Sequence, residues 1–81
     1  MEYDVVEVRY VKGYVVWLQF RDGSAGEVDL SSVLARPVFE PLRNLNYFTQ
    51  FRLDPQFHTL VWPNDEDIAP EYLHDRVRSA A

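Results

Sequence analysis

The stretch Thr59-Leu60-Val61-Trp62-Pro63-Asn64-Asp65-Glu66-Asp67-Ile68-Ala69-Pro70 decides how the rest of the chain is read. It predicts a last strand, a tight acidic corner and the start of a closing helix. His58 to Trp62 reads as the fifth strand, with His58, Leu60 and Trp62 on one side. Pro63 stops it, because proline has no N–H to give to a ladder. Pro70 suits the first position of a helix, which places Ala69 at the cap. Ile68 before the cap and Leu73 at the fourth helical position then form a hydrophobic staple. Glu71 in the first turn suits the helix dipole. The helix is expected over Pro70 to Arg76, with Val77 to Ala81 frayed.

Upstream of that corner the pattern is strand-like. Asp4 to Lys12 alternates, with Val6, Val8 and Tyr10 on one side and Glu7 and Arg9 on the other, the period of a half-buried strand. Gly13 marks a turn. Tyr14 to Phe20 alternates again, with Val16, Leu18 and Phe20 towards the core and Val15 and Trp17 on the opposite side. Asp22-Gly23 between alternating runs is a strong hairpin signal, since Gly23 accepts positive φ without steric cost. Ala25 to Asp29 is the third strand of a meander. Asp29 is expected to cap a helical turn over Leu30 to Leu34. Pro37 and Pro41 forbid one long helix, so broken helical turns are expected over Val38 to Gln50, burying Val38, Phe39, Leu42, Leu45 and Phe48. Phe51 to Asp54 reads as the fourth strand. The expected fold is α+β: an antiparallel sheet in the order β-β-β-α-β-β-α, with helical segments over one face, forming a single small domain.

Composition narrows the chemistry. The chain has 81 residues, a net charge of −5 and no cysteine. Disulfides and thiolate chemistry are thereby excluded. The eight bases are scattered singly among thirteen acids, which does not make the basic patch that duplex binding needs. An acidic module more naturally meets a basic protein. Met1-Glu2-Tyr3-Asp4 is not the start of a signal peptide, and no apolar run approaches the roughly 20 residues of a membrane helix. The expectation is a cytoplasmic protein with no cofactor, no direct nucleic-acid contact and no membrane association.

Candidate sites are few. Asn64, Asp65, Glu66 and Asp67 offer oxygen ligands to a divalent cation, but the spacing of a calcium loop is missing. A solvated turn explains them, with Asn64 or Asp65 in the left-handed region and Asp67 accepting from nearby backbone N–H groups. His58 and His74 have no accompanying ligand motif, and no serine sits in a nucleophile elbow. Asp22, Gly23, Asp29, Pro63, Asn64, Asp67 and Pro70 are read as structural. The aromatics Tyr14, Trp17, Trp62 and Tyr72 are the candidates for contact with a protein partner, because such anchors dominate interface energetics. Trp17, opposite the expected core, leads them. A second apolar cluster or a homodimer seam would explain them equally well.

Certain segments taken together resemble a known family. They are Leu18-Gln19-Phe20-Arg21-Asp22-Gly23, Val28-Asp29-Leu30, Pro37-Val38-Phe39-Glu40-Pro41-Leu42-Arg43, Phe48, Val61-Trp62-Pro63-Asn64 and Asp67-Ile68-Ala69-Pro70-Glu71-Tyr72-Leu73. In these the chain resembles the small bacterial family called domain of unknown function 2442, from about Val5 to His74. The family usually carries Gly where this chain has Asp65. The resemblance implies the same α+β fold, and no catalytic residue to carry over. Members often look like the second gene of a pair with a small toxin-like protein, which implies an antitoxin-like role with the neighbouring gene product as partner. Two other readings stand beside this one. One is a ligand-sensing domain working with a separate DNA-binding partner; the other is a metal-assisted enzyme built on the acidic corner.

Overall fold

The computed structural model describes residues 3–80. Strands β1 (Val5–Lys12), β2 (Val15–Phe20) and β3 (Ala25–Asp29) form an antiparallel meander. Two short 3₁₀ segments, Val33–Ala35 and Pro37–Arg43, lead into α1 (Leu45–Phe48). A second antiparallel pair follows, β4 (Arg52–Leu53) with β5 (Leu60–Val61), and α2 (Pro70–Ala80) closes the chain. The expected α+β order is present, with the strands divided between two sheets.

Alternation in β2 works as the sequence predicts: Val16, Leu18 and Phe20 are buried, with Val28 opposite Val16. β1 needs a correction. Its register against β2 slips between Val5 and Glu7, where Val5 faces Phe20 and Glu7 faces Gln19. This β-bulge adds one residue and changes the phase of the side chains. Val5 therefore joins the core with Val8, while Val6, expected inside, is 43% exposed. Tyr10 keeps its core side and meets the Phe48 ring edge-on at 6.5 Å.

The segment between the sheets also departs from expectation. Phe39 and Leu42 are buried as expected, but Val38 and Leu45 are 56% and 44% exposed. The backbone there is 3₁₀, so residues three apart stack on one side, and Phe39 and Leu42 share it while Val38 turns away. At Asn44 the backbone becomes extended (φ −74°, ψ 118°) and breaks the series before Leu45. Asp29 does not cap a helix. Its carboxylate accepts from Ser31 N at 2.9 Å in a local turn, and the first 3₁₀ segment starts later, after Ser32.

The fifth strand starts at Leu60 and not at His58. His58 has φ 55° and donates its N–H to Asp54 O, closing the loop from β4. It therefore does not share a strand face with Leu60 and Trp62. α2 runs past the expected end at Arg76 to Ala80, because Val77 is buried in the core and anchors the last turns; Ala81 lies outside the described residues. Ile68 and Leu73, the two residues expected to staple the helix start, are both buried.

Two corners of the molecule share one construction. In the first, Gly23 N donates to Phe20 O and Phe20 N to Ser24 O, both at 2.9 Å. In the second, Asp65 N donates to Trp62 O and Trp62 N to Glu66 O, again at 2.9 Å. Each is a three-residue hairpin loop whose last residue takes the left-handed conformation. That residue is Gly23 (φ 91°) in one and Asp65 (φ 67°) in the other. The sequence expectation of a left-handed residue at Asn64 or Asp65 is met by Asp65. The acceptor expected at Asp67 is instead Asn64, whose Oδ1 takes Glu66 N at 3.1 Å. Asp67 pairs with Val61, so the chain doubles back along β5.

Asp65 occupies a position where a side chain is strained and glycine is not. Asp65→Gly should therefore stabilise the fold by about 0.5–1 kcal/mol, raising the melting temperature by roughly 2–8 °C in a calorimetric scan. The same change at a right-handed position would lower it. Trp62 is fully buried and its Nε1–H donates to Phe48 O at 2.8 Å. The Phe48 carbonyl keeps a longer bond from Phe51 N at 3.4 Å, so Trp62→Phe should cost about 0.5–1.5 kcal/mol for the lost hydrogen bond, read from urea unfolding midpoints.

Candidate functional site

Three of the aspartates are turn acceptors. Asp22 takes Ser24 N, Asp29 takes Ser31 N, and Asp54 takes Gln56 N, each two residues further on. Asn44 and Asn64 do the same for Asn46 N and Glu66 N. Such Asx turns tie a side chain to the local backbone. Hydrogen bonds to the ionised form favour it: the Ser31 N–H holds the Asp29 carboxyl below its ordinary range, and the Phe57 N–H, at 2.7 Å, does so for Asp54. The carboxylates at Asp65, Glu66 and Asp67 do not converge. Among the described residues no three histidine or acidic side chains come close enough together to hold a metal ion.

One polar cluster joins distant parts of the chain. His74, buried on α2, bonds through Nε2 to Asp22 Oδ2 at 2.7 Å, and the Ser24 hydroxyl donates to Asp22 Oδ1 at 2.6 Å. The Ser24 hydroxyl, the Ser24 backbone N–H and the His74 ring, in that order, hold the Asp22 carboxyl down to about 2. An ionised carboxylate can only accept, so His74 Nε2 carries the hydrogen. The edges of Tyr3 and Phe20 meet the imidazole at 4.9 Å. Serine, aspartate and histidine together suggest a nucleophilic triad, but the order is wrong. A triad needs the imidazole next to the hydroxyl to take its proton. Here both donors point at the same carboxylate, so Ser24 has no base. What the cluster does is fasten α2 to the β2–β3 turn.

Of the aromatic candidates, Trp17 lies on the outer face of the three-stranded sheet. Its register partners there are Arg9 and Glu27, with the Arg9 guanidinium 5.3 Å from its ring centre. Trp62 is a core residue. Tyr14 packs edge-on against Phe48 at 5.1 Å and its hydroxyl donates to Arg43 O. Tyr72 is half-buried on α2 under the Arg76 guanidinium, 4.9 Å from its ring centre. Only Trp17 stands on an outward sheet face. Gly23, Pro63 and Pro70 are where the turns and the helix start require them, and Asp22 and Asn64 are the acceptors inside the two corners.

Two shallow clefts lie on the surface of the described residues. One, about 390 Å³, lies beside Tyr14, Leu34 and Arg43. Its arginine is already committed, donating from Nε to Leu34 O at 2.7 Å and from Nη2 to Ala35 O at 2.9 Å. The other, about 450 Å³, lies between the His58 loop and the start of α2. Sequence reading missed both the Arg43 clasp and the Asp22–His74 pair. Arg43 carries no signal. His74 had one: it sits beside Leu73 and three residues before Val77, on the buried side of its helix.

These features define a small α+β domain whose polar clusters serve structure and whose outer sheet face carries one prominent aromatic. The chain belongs to the family described as protein of unknown function DUF2442, whose model matches residues 5–79. No curated protein and no solved structure matches it. Among the described residues no helix is long and apolar enough to cross a membrane.

The Asp22 carboxyl ionises more readily folded than unfolded, so its charge stabilises the fold above the ordinary carboxylate range. That contribution is lost as pH falls from about 4 through about 2. Urea midpoints measured over this window should fall for the native chain. The gap between it and Asp22→Asn should shrink over the same window.

Proposed function

We propose that this protein is a non-enzymatic interaction module that binds a small basic protein through the outer face of its three-stranded sheet. The observation that carries the reading is Trp17. Its indole, half-buried, lies on the face turned away from the core, beside Arg9, in a row that ends at Glu27. Tryptophan and arginine at the centre of a patch are the residue types that anchor interfaces. The acids Glu7, Glu27 and Asp29 share the neighbouring strands, and the net charge of −5 favours encounter with a basic partner. The Ser24–Asp22–His74 arrangement supports a non-enzymatic role, since it leaves the hydroxyl without a base. In this reading the protein is the antitoxin-like member of a pair, it works in the cytoplasm, and its partner is the product of the neighbouring gene.

Isothermal titration against that product tests the proposal. The native chain should bind, and Trp17→Ala should weaken binding by roughly thirtyfold or more, as for an interface anchor. Asp22→Ala should leave affinity unchanged while lowering stability. No binding by the native chain, or equal binding by Trp17→Ala, would sink the reading.

A further inference from the structure

Six large apolar side chains are exposed among the described residues, and three of them, Val6, Tyr10 and Val11, belong to β1. β1 is also a sheet edge. Its first residue is tied down, with Val5 N donating to His58 O. From Val6 to Lys12, among the described residues, no backbone hydrogen bond reaches any element besides β2. β4 neighbours β1 without bonding to it, whereas the other edge, β3, has α2 packed against it. An open strand with apolar side chains is a template for another strand.

The charges on this edge select one register. Glu7 and Arg9 lie on the same outer face, 2.6 Å apart at Oε2 and Nε, on either side of Val8. In an antiparallel pair of identical strands, a two-fold axis at Val8 puts Glu7 of each copy opposite Arg9 of the other. Moving the axis to Glu7 or to Arg9 sets like charges face to face, which is destabilising. An axis between two residues would set the core side of one sheet against the outer side of the other. Of the axes at Glu7, Val8 and Arg9, only Val8 satisfies both constraints, and it alone pairs each charge with its opposite. The bulges at Val5–Glu7 and Tyr10–Lys12 confine the regular stretch to Glu7 through Tyr10, which contains Val8 and both charges.

We propose that β1 pairs with β1 of a second copy about a two-fold axis at Val8. The result is an isologous dimer with one six-stranded antiparallel sheet. The cross-strand pairs Glu7–Arg9 then form twice, and Tyr10, exposed in the single chain, comes up against the bulge of the other copy that holds Val6. This association does not rest on the partner proposed above.

Sedimentation velocity and native mass spectrometry on the full chain test it. The native chain should dimerise with rising concentration. Glu7→Arg gives an edge with two bases and Arg9→Glu an edge with two acids. Each alone should dimerise at least roughly tenfold more weakly, since two attractive pairs become repulsive. Mixed together, the two variants should form a heterodimer, because each base then faces an acid. Both variants lack the Glu7–Arg9 ion pair within the chain, so recovery on mixing cannot come from restoring it. Circular dichroism melts establish that each is folded. A native chain that stays monomeric, variants that dimerise as tightly as the native chain, or no preference for the mixed pair would each overturn the proposal.

Discussion

One buried indole N–H sets the position of the short helix. α1 spans four residues, Leu45–Phe48, far too few to form alone, because the first helical turn costs more than its one hydrogen bond returns. It exists because other parts of the chain hold it. Asn44 caps its start by accepting from Asn46 N and Tyr47 N. At its other end the Phe48 carbonyl receives the Trp62 indole, and the Phe48 ring packs against Tyr14, Phe51 and Trp62. Tyr47 works in the reverse direction, its hydroxyl accepting Asn64 N at 2.8 Å. The helix and the second corner therefore support each other, and neither would keep its place without the other.

From this follows a division of labour among the polar residues. In a chain this small, every turn that is pinned locally leaves less conformational entropy for the core to overcome. Asp22, Asp29, Asp54, Asn44 and Asn64 supply that pinning. Part of the acidic excess is thus an architectural matter. Asp22 does more, since His74 extends its reach across 52 positions of sequence to the last helix. α2 is held by buried Leu73 and Val77 on its apolar side and by this charge-assisted bond at the hairpin turn.

Much of this was legible in the residues. The bounds of β3, the core side of β2, the turn at Asp22-Gly23 and the start of α2 at Pro70 all follow from local rules acting on local sequence. The failures share a cause. The bulge in β1 is a property of pairing with β2, and no period within Val5–Lys12 records it. The exposure of Val38 and Leu45 follows from a 3₁₀ path that is chosen when Phe39 and Leu42 reach the core. Alternation does not mark Trp62 as a core residue, because β5, though only two residues long, is buried on both sides: Leu60 and Val61 are both covered. For the site, the sheet face of Trp17 could be read from alternation. The Asp22–His74 contact could not, because only the folded chain brings the two together.

The two indoles give the molecule a pair of separate optical reporters. Trp62 sits in dry surroundings with its N–H engaged by the Phe48 carbonyl, so its emission follows the integrity of the interior. Trp17 is half-buried on the outer face under a guanidinium, where its surroundings differ from those of the interior. Loss of the blue component would register unfolding, while a change confined to the red component would register events at the sheet's outer surface, with no label attached to the chain.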